Sequence, residues 1–487
     1  MKLDDFLFER QLILDNTQVK GRFERIYGAI DNDFRHKTIP RQVSISTANK
    51  VVNIFGWIIN DVEKCAFESI HVCIGDIVYT ADILGRPDVA KAYGDQYLYS
   101  GFYVRIPLSS AYAEGKEYTV KIFGIAKDNR CYVAGDIVAL TIGSESLKID
   151  MDQKYHYETL CDMLGIGNLI EGPLKAGGFN NTLYAIKTTL GVYAVKTLNP
   201  ASNIESKERA EEFAAIAAKK VPTAPAKKIK GSFVHELEGQ HYIVYDWVDG
   251  IELPRTMLTS EHCNKIGRIL ADIHNINSSG LVGFCAPDIK PWIDWASYLR
   301  QGKARKAQWI DELEENIDYL YRIYSRSAEA AFSLHKKNMV VSHWDLSPGN
   351  VLWKGDNPIV VDWESANLAS PSHNFITTAL YWTASCWPTN DTDDFDKDKF
   401  FAFAKGYQDH RELTGFNWNE ALHSVAWGLL RMAEGLFIES LRLQNYDEKQ
   451  LQIYKRVPII LQAIIHYEKK MDVIEEWLNE IQRDTED

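Results

Sequence analysis

The chain has no uncharged apolar run approaching about 18 residues, so no segment reads as a bilayer-spanning helix. It also lacks any long block of basic residues. With 54 Lys and Arg against 67 Asp and Glu, its net charge is −13. That balance disfavours nucleic acid and anionic membranes as partners and suits a cationic ligand better. The seven cysteines are scattered, odd in number and free of C-x-x-C spacing, as expected of reduced thiols rather than a disulfide framework or zinc site. The opening, MKLDDFLFERQLILD, has no basic start followed by an apolar core, so no signal peptide is expected. These absences predict a cytoplasmic protein.

What is present is enough for several cores. A length of 487 residues with 46% hydrophobic content suggests about two to four domains. Residues 1–42 mix apolar and charged side chains and read as a short helix or arm. From 43 to 145 the rhythm is that of strands. Val43–Ser46, Val51–Ile59, Ile70–Ile74, Ile77–Tyr79, Phe102–Ile106, Tyr118–Ile125 and Ile137–Ile142 are punctuated by Gly, Asp and Asn, the spacing of an antiparallel β-sandwich. Nothing in this stretch looks catalytic.

The densest chemistry lies in Val340–Glu364, VVSHWDLSPGNVLWKGDNPIVVDWE. Val351–Trp353 and Ile359–Val361 are strand-like, and Lys354–Pro358 between them is turn chemistry. Pairing Trp353 with Ile359 would set Asn350 opposite Asp362, with Cα atoms about 5 Å apart. Asp345 then sits on the loop entering the hairpin. Oxygen donors with room for water and phosphate suit Mg²⁺ better than zinc.

H-x-D-x-x-x-x-N (His343, Asp345, Asn350), followed by a strand and D-W-E (Asp362–Glu364), resembles the catalytic segment of the aminoglycoside and choline phosphotransferases. These are protein-kinase-like enzymes acting on small molecules. The resemblance covers residues from about 155 onward. It implies Asp345 as the base for an acceptor hydroxyl, Asn350 and Asp362 as Mg²⁺ ligands, and ATP or GTP as phosphoryl donor.

A matching nucleotide-binding half lies upstream. Leu169–Lys175 and Thr182–Lys187 read as strands around the turn Ala176-Gly177-Gly178-Phe179-Asn180-Asn181, followed by Val192-Tyr193-Ala194-Val195-Lys196. Glycines such as Gly177 and Gly178 let backbone N–H groups approach phosphate, and a strand lysine, Lys196, supplies a point charge. Together these segments, through Asn181, resemble the N-lobe of the same family. The helix Ser206–Lys219 offers Glu208, Glu211 and Glu212 to orient Lys196, and spacing favours Glu212. The segment around Asp246 and Trp247 resembles the hinge that reads the adenine edge through its backbone. The expected architecture is therefore α+β, an N-terminal antiparallel β-sandwich followed by a bilobal kinase-like domain. Its N-lobe would span 155–248, and a largely helical C-lobe 249–487.

Ile266, Ile269, Leu270 and Ile273 have helical core spacing, as do Trp309, Leu313, Leu320 and Tyr324. Two positions depart from the family pattern. Ser347 stands where kinases carry lysine or histidine, and Asn374 where an aspartate is usual. Asp391, Asp393, Asp394 and Asp396 form an acidic loop, and Tyr381, Trp382, Trp387 and Trp427 supply aromatics that suit an amine acceptor or form ordinary core. The expected reaction moves a γ-phosphoryl group to a hydroxyl of a small polar acceptor: an aminoglycoside, a choline-like amine or a sugar. The alternatives are a protein kinase, disfavoured because no D-F-G or A-P-E is present, and a catalytically silent nucleotide-binding scaffold. Gly85–Ala90 with Gly101-Phe102 resembles β-sandwich modules of bacterial carbohydrate-modifying enzymes, so the sandwich would bind a glycan or a protein partner.

Overall fold

In the computed structural model, the described residues are 1–8, 10–13, 19–28, 42–46, 51–61, 63–108, 112–113, 116–135, 137–143, 151–177, 181–277, 281–290, 292–336, 338–384, 395–442 and 448–483. The chain forms two compact units, Met1–Ile204 with Ala226–Asp249, and Glu205–Pro225 with Gly250–Asp487. The α+β class holds, with largely antiparallel sheets in the N-terminal part and a mainly helical C-terminal region.

The first unit opens with two facing sheets. One has seven strands, with Glu117–Ile125 at its centre, and the other pairs Val19–Gly28, Val51–Asn60, Gly101–Pro107 and Asp82–Leu84. Their inner faces share a core in which Ile54, Ile58 and Phe102 meet Ile70, Val120 and Leu140, as alternation along half-buried strands requires. Two edge pairings are parallel, Gln11–Ile13 with Arg130–Val133 and Gln42–Ser46 with Val138–Gly143. Residues 1–42 are thus not a separate arm. Val19 and Phe23 are buried in the shared core, and Phe6 packs on Phe123.

The same unit contains a five-stranded antiparallel sheet in the order Leu169–Gly177, Thr182–Thr188, Val192–Thr197, Gln240–Asp246, Val234–Leu237. The helix Met151–Leu164 packs Tyr157, Leu160 and Cys161 against Ile186, Val195 and Val244 of that sheet.

In the second unit, the helix Ser260–His274 buries Ile266, Ile269, Leu270 and Ile273. It crosses Lys397–Gln408 at backbone contact. A Cβ at Gly267 would lie 2.0 Å from the Phe403 carbonyl oxygen, and one at Gly406 2.0 Å from that of Asn264. The long helices Ile310–Leu334 and Trp418–Arg442 complete the core on the other side, burying Leu313, Leu320 and Tyr324 as the spacing implies. Among the described residues no helix is long and apolar enough to cross a membrane.

The helix Ile204–Ala217, expected as part of the N-lobe, belongs by its packing to the second unit. Phe213 meets the Trp363 ring edge-on at 5.7 Å between centroids. Lys207 pairs with Glu364 at 3.3 Å. Just beyond the helix, Thr223 Oγ1 donates to the Val360 carbonyl and accepts from Trp363 Nε1.

Candidate active site

The hairpin carrying the expected metal ligands forms, with a register one residue different from the expected one. Val351–Lys354 pairs with Asn357–Val360 so that Trp353 faces Pro358 and Leu352 faces Ile359. The turn is two residues, Gly355 and Asp356, rather than five. Gly355 has φ +57° and Asp356 is not in the positive-φ region, the pattern of a II′ turn with glycine first. Asn350 therefore lies opposite Val361, whose N–H donates to the Asn350 carbonyl at 2.9 Å. Asp362 follows one residue later at φ 64°, ψ 63°. This left-handed step ends the strand and redirects the aspartate, and it is costly for a non-glycine residue.

Asp345 is half-buried at the other side of this hairpin end. Asn350 Nδ2 donates to Asp345 Oδ2 at 2.9 Å and to the Asp345 carbonyl at 2.8 Å. Because its amide nitrogen is held there, Asn350 keeps its side-chain oxygen as an acceptor. Burial pushes the Asp345 carboxyl up to about 6; the Asn350 and Ser347 hydrogen bonds oppose this, while the charges of Asp362 and Glu364 add to it. Ser347, the departure from the family pattern, thus serves the aspartate side chain. Among the described residues no three His, Cys, Asp or Glu side chains form a ready-made metal cage. One amide oxygen and one carboxylate suit an ion that brings phosphate and water as its remaining ligands.

The loop is fastened from several sides. His343, fully buried, donates from Nε2 to the Val361 carbonyl at 3.0 Å and packs on Trp363, which makes it a packing residue as expected. Trp382 Nε1 donates to the Leu346 carbonyl at 2.8 Å. Asn374, buried, accepts through Oδ1 from Ser342 Oγ and from His274 Nε2 at 2.9 Å. His274 Nδ1 then accepts from Tyr407 OH at 2.9 Å. The chain Tyr407–His274–Asn374–Ser342 is uncharged, since burial holds His274 down to about 3.

In the first unit, Lys196 is 8% exposed on the strand between Thr182–Thr188 and Gln240–Asp246, opposite Leu183 and Ile243. A lysine so deeply placed requires a partner for its charge. Gly177 closes the preceding strand next to a register shift, and Gly178 lies outside the described residues. Asn181 is buried, and its Oδ1 accepts from the Asn199 N–H at 2.9 Å. The Trp247 N–H already donates to the Val192 carbonyl at 3.0 Å, and the Asp246 side chain pairs with Lys227 at 2.8 Å.

The helix glutamates differ in burial. The helix Ile204–Ala217 buries Ala210, Glu211, Phe213, Ala214 and Ala217, and Glu212 is exposed. Glu211 is fully buried. Lys207, four residues before Glu211 and so on the same helix face, was not singled out in the sequence; that spacing was the available signal. Of the aromatics offered for an acceptor, Trp382 and Trp427 are core residues, while Trp387 and the acidic residues Asp391, Asp393 and Asp394 lie outside the described residues.

Comparison with known proteins places these features in a family. Residues 173–416, half of the chain, match the model of the phosphotransferase enzyme family (APH). No curated protein matches the chain. Among solved structures, it is similar to a spectinomycin phosphotransferase in complex with ADP and spectinomycin, at 15% identity and a TM-score of 0.46, covering 64% of this chain and 98% of that one. A Plasmodium vivax ethanolamine kinase is similar at 13% identity and a TM-score of 0.46, covering 68% and 92%. A microcompartment-associated aminopropanol kinase is similar at 14% and 0.42, covering 69% and 99%. The match over 173–416 carries the assignment: the chain belongs to the phosphotransferase enzyme family.

Proposed function

We propose that the protein transfers the γ-phosphoryl group of ATP or GTP to a hydroxyl of a small polar acceptor. The observation that carries this reading is the convergence of Asp345, Asn350 and the left-handed Asp362 at one end of the hairpin. In the proposed reaction the acceptor oxygen bonds to the γ-phosphorus, the bond from that phosphorus to the β–γ bridging oxygen breaks, and the nucleoside diphosphate leaves. The proton of the acceptor hydroxyl passes to the Asp345 carboxylate. Asn350 fixes the rotamer of that carboxylate, and His343 ties its loop to the strand leading to Asp362.

The Asn350 side-chain oxygen and the Asp362 carboxylate are assigned to Mg²⁺, which when bound would neutralise phosphate charge. Lys196 serves the phosphates, and Glu211, buried in its own unit, is the helix glutamate assigned a role in the site. Gly177, at the end of its strand, is assigned to the phosphates as well. With the Trp247 N–H already used, the Val248 N–H is the proposed adenine donor. Positioning and electrostatics, rather than covalent chemistry, carry such a reaction.

The test is a nucleotide-consumption screen with Mg²⁺ against aminoglycosides, choline, ethanolamine and simple sugars, run beside Asp345→Asn. Consumption that depends on one acceptor and disappears in the variant supports the reading. Nucleotide binding without acceptor-dependent turnover across the panel contradicts it.

A further inference from the structure

The direction of Asp362 depends on a backbone conformation that has to be held from outside. Its φ of 64° and ψ of 63° lie in the left-handed region, which a residue with a Cβ keeps only where its surroundings over-determine it. The residues on either side of it are pinned. Before it, the Val361 N–H donates to the Asn350 carbonyl at 2.9 Å, and the Val361 carbonyl accepts from His343 Nε2 at 3.0 Å. After it, the Ala366 N–H donates to the Trp363 carbonyl at 2.8 Å, closing a turn, and Lys207 pairs with Glu364 at 3.3 Å. Each of these contacts fixes one flank alone.

Thr223 joins the two flanks. Its Oγ1 donates to the Val360 carbonyl at 2.7 Å and accepts from Trp363 Nε1 at 2.6 Å. A single hydroxyl therefore spans Val361 and Asp362, the two residues over which the strand gives way to the left-handed step. Val360 and Trp363 are fully buried, where an unpaired carbonyl or indole N–H is costly, so both bonds are strongly favoured. The hydroxyl is itself placed by backbone pairing. The Val360 N–H donates to the Pro222 carbonyl at 2.8 Å, and the Ala224 N–H to the Val360 carbonyl at 3.2 Å. The Trp363 ring packs between Phe213 at 5.7 Å and His343 at 4.7 Å, which fixes the direction of its N–H.

We propose that Thr223 is a positioning residue for the metal ligand Asp362: its hydroxyl locks the end of the strand to the turn beyond it and so aims the carboxylate. The proposal rests on Asp362 being a Mg²⁺ ligand, and that reading has its own arm in the test.

The test is calorimetry of ADP binding to the full chain (GDP if ADP does not bind), with and without Mn²⁺ as the probe ion, on wild type, Asp362→Asn, Thr223→Val and Thr223→Ser. Mn²⁺ should tighten nucleotide binding in wild type, and Asp362→Asn should abolish that enhancement. Thr223→Val keeps the shape and removes the hydroxyl. It should cut the enhancement about tenfold, or to the level of Asp362→Asn where the wild-type enhancement is smaller, as outer partners of a metal ligand do. Its metal-free nucleotide affinity should stay that of wild type. Thr223→Ser, which restores the hydroxyl, should restore the enhancement. If the valine variant does not fold, Trp363→Phe, which removes the N–H that Thr223 accepts, is read in the same way. A wild-type enhancement in Thr223→Val, an equal loss of metal-free and Mn²⁺-supported binding, or a serine variant as impaired as the valine one would each overturn the proposal. No enhancement in wild type, or one that persists in Asp362→Asn, would refute the metal assignment of Asp362 and the proposal with it.

Discussion

Asn350 grips Asp345 twice, through one amide nitrogen that donates to the side-chain oxygen at 2.9 Å and to the backbone carbonyl at 2.8 Å. A single side chain therefore orients the proposed base and keeps its own oxygen available. Asn350→Leu removes both functions with little change in volume. It should lower kcat by about 10²-fold or more, in the range that a general base and its positioning supply. Steady-state kinetics over a range of Mg²⁺ concentrations measures it, and saturating Mg²⁺ should not restore the rate.

Glu211 and Glu212 are neighbours with opposite surroundings, one fully buried and the other exposed. Glu211→Gln should reduce kcat/KM at least about tenfold, equivalent to roughly 1.4 kcal/mol of transition-state stabilisation. Glu212→Gln should stay within about twofold, as expected of an exposed carboxylate. Parallel kinetics on the two variants checks the assignment.

Gly267 and Gly406 let two helices touch at the backbone, and the contact has no slack. Gly267→Ala places a methyl group against the Phe403 carbonyl and should destabilise the protein by about 1–3 kcal/mol. A lowered denaturation midpoint in urea is the readout.

The interior histidines make the fold sensitive to acid. Burial holds His262 at about 4, His274 at about 3 and His335 at about 4, each below the ordinary value of 6.5. The unfolded chain therefore binds more protons than the folded one between those values and 6.5. Stability should be complete above about pH 6.5 and fall as pH drops towards 3, by up to about 1.4 kcal/mol per pH unit for each histidine. Urea denaturation at pH 7.5, 5.5 and 4.5 follows it, and equal midpoints at all three would refute it.

The sequence made the candidate catalytic segment legible because its chemistry is local. Asp345, Asn350 and Asp362 are fixed by a short hairpin whose strands and turn are visible in 25 letters, from Val340 to Glu364. What it missed depends on phase. A two-residue turn where five residues had turn chemistry shifted the register by one, so that a left-handed residue, and not cross-strand pairing, delivers Asp362. The same one-residue ambiguity exchanged Glu211 for Glu212, since three glutamates along a helix do not reveal which faces inward until Phe213 has packed on Trp363. The first strands of the sandwich were hidden because VKGRFERIYG alternates apolar with charged residues. Asn181 and the Trp247 N–H are bound to partners distant in sequence that no local pattern shows.

Asp345 as the base is tested most directly by Asp345→Asn, a near-isosteric change that removes proton acceptance. With an acceptor in hand, phosphoryl transfer from γ-labelled ATP and nucleotide affinity should be measured on the same preparation. Transfer should fall by about 10²–10⁴-fold while the nucleotide Kd stays within about threefold of wild type. Transfer retained at near wild-type rate, or loss of nucleotide binding together with it, would show that Asp345 is not the group that takes the acceptor's proton.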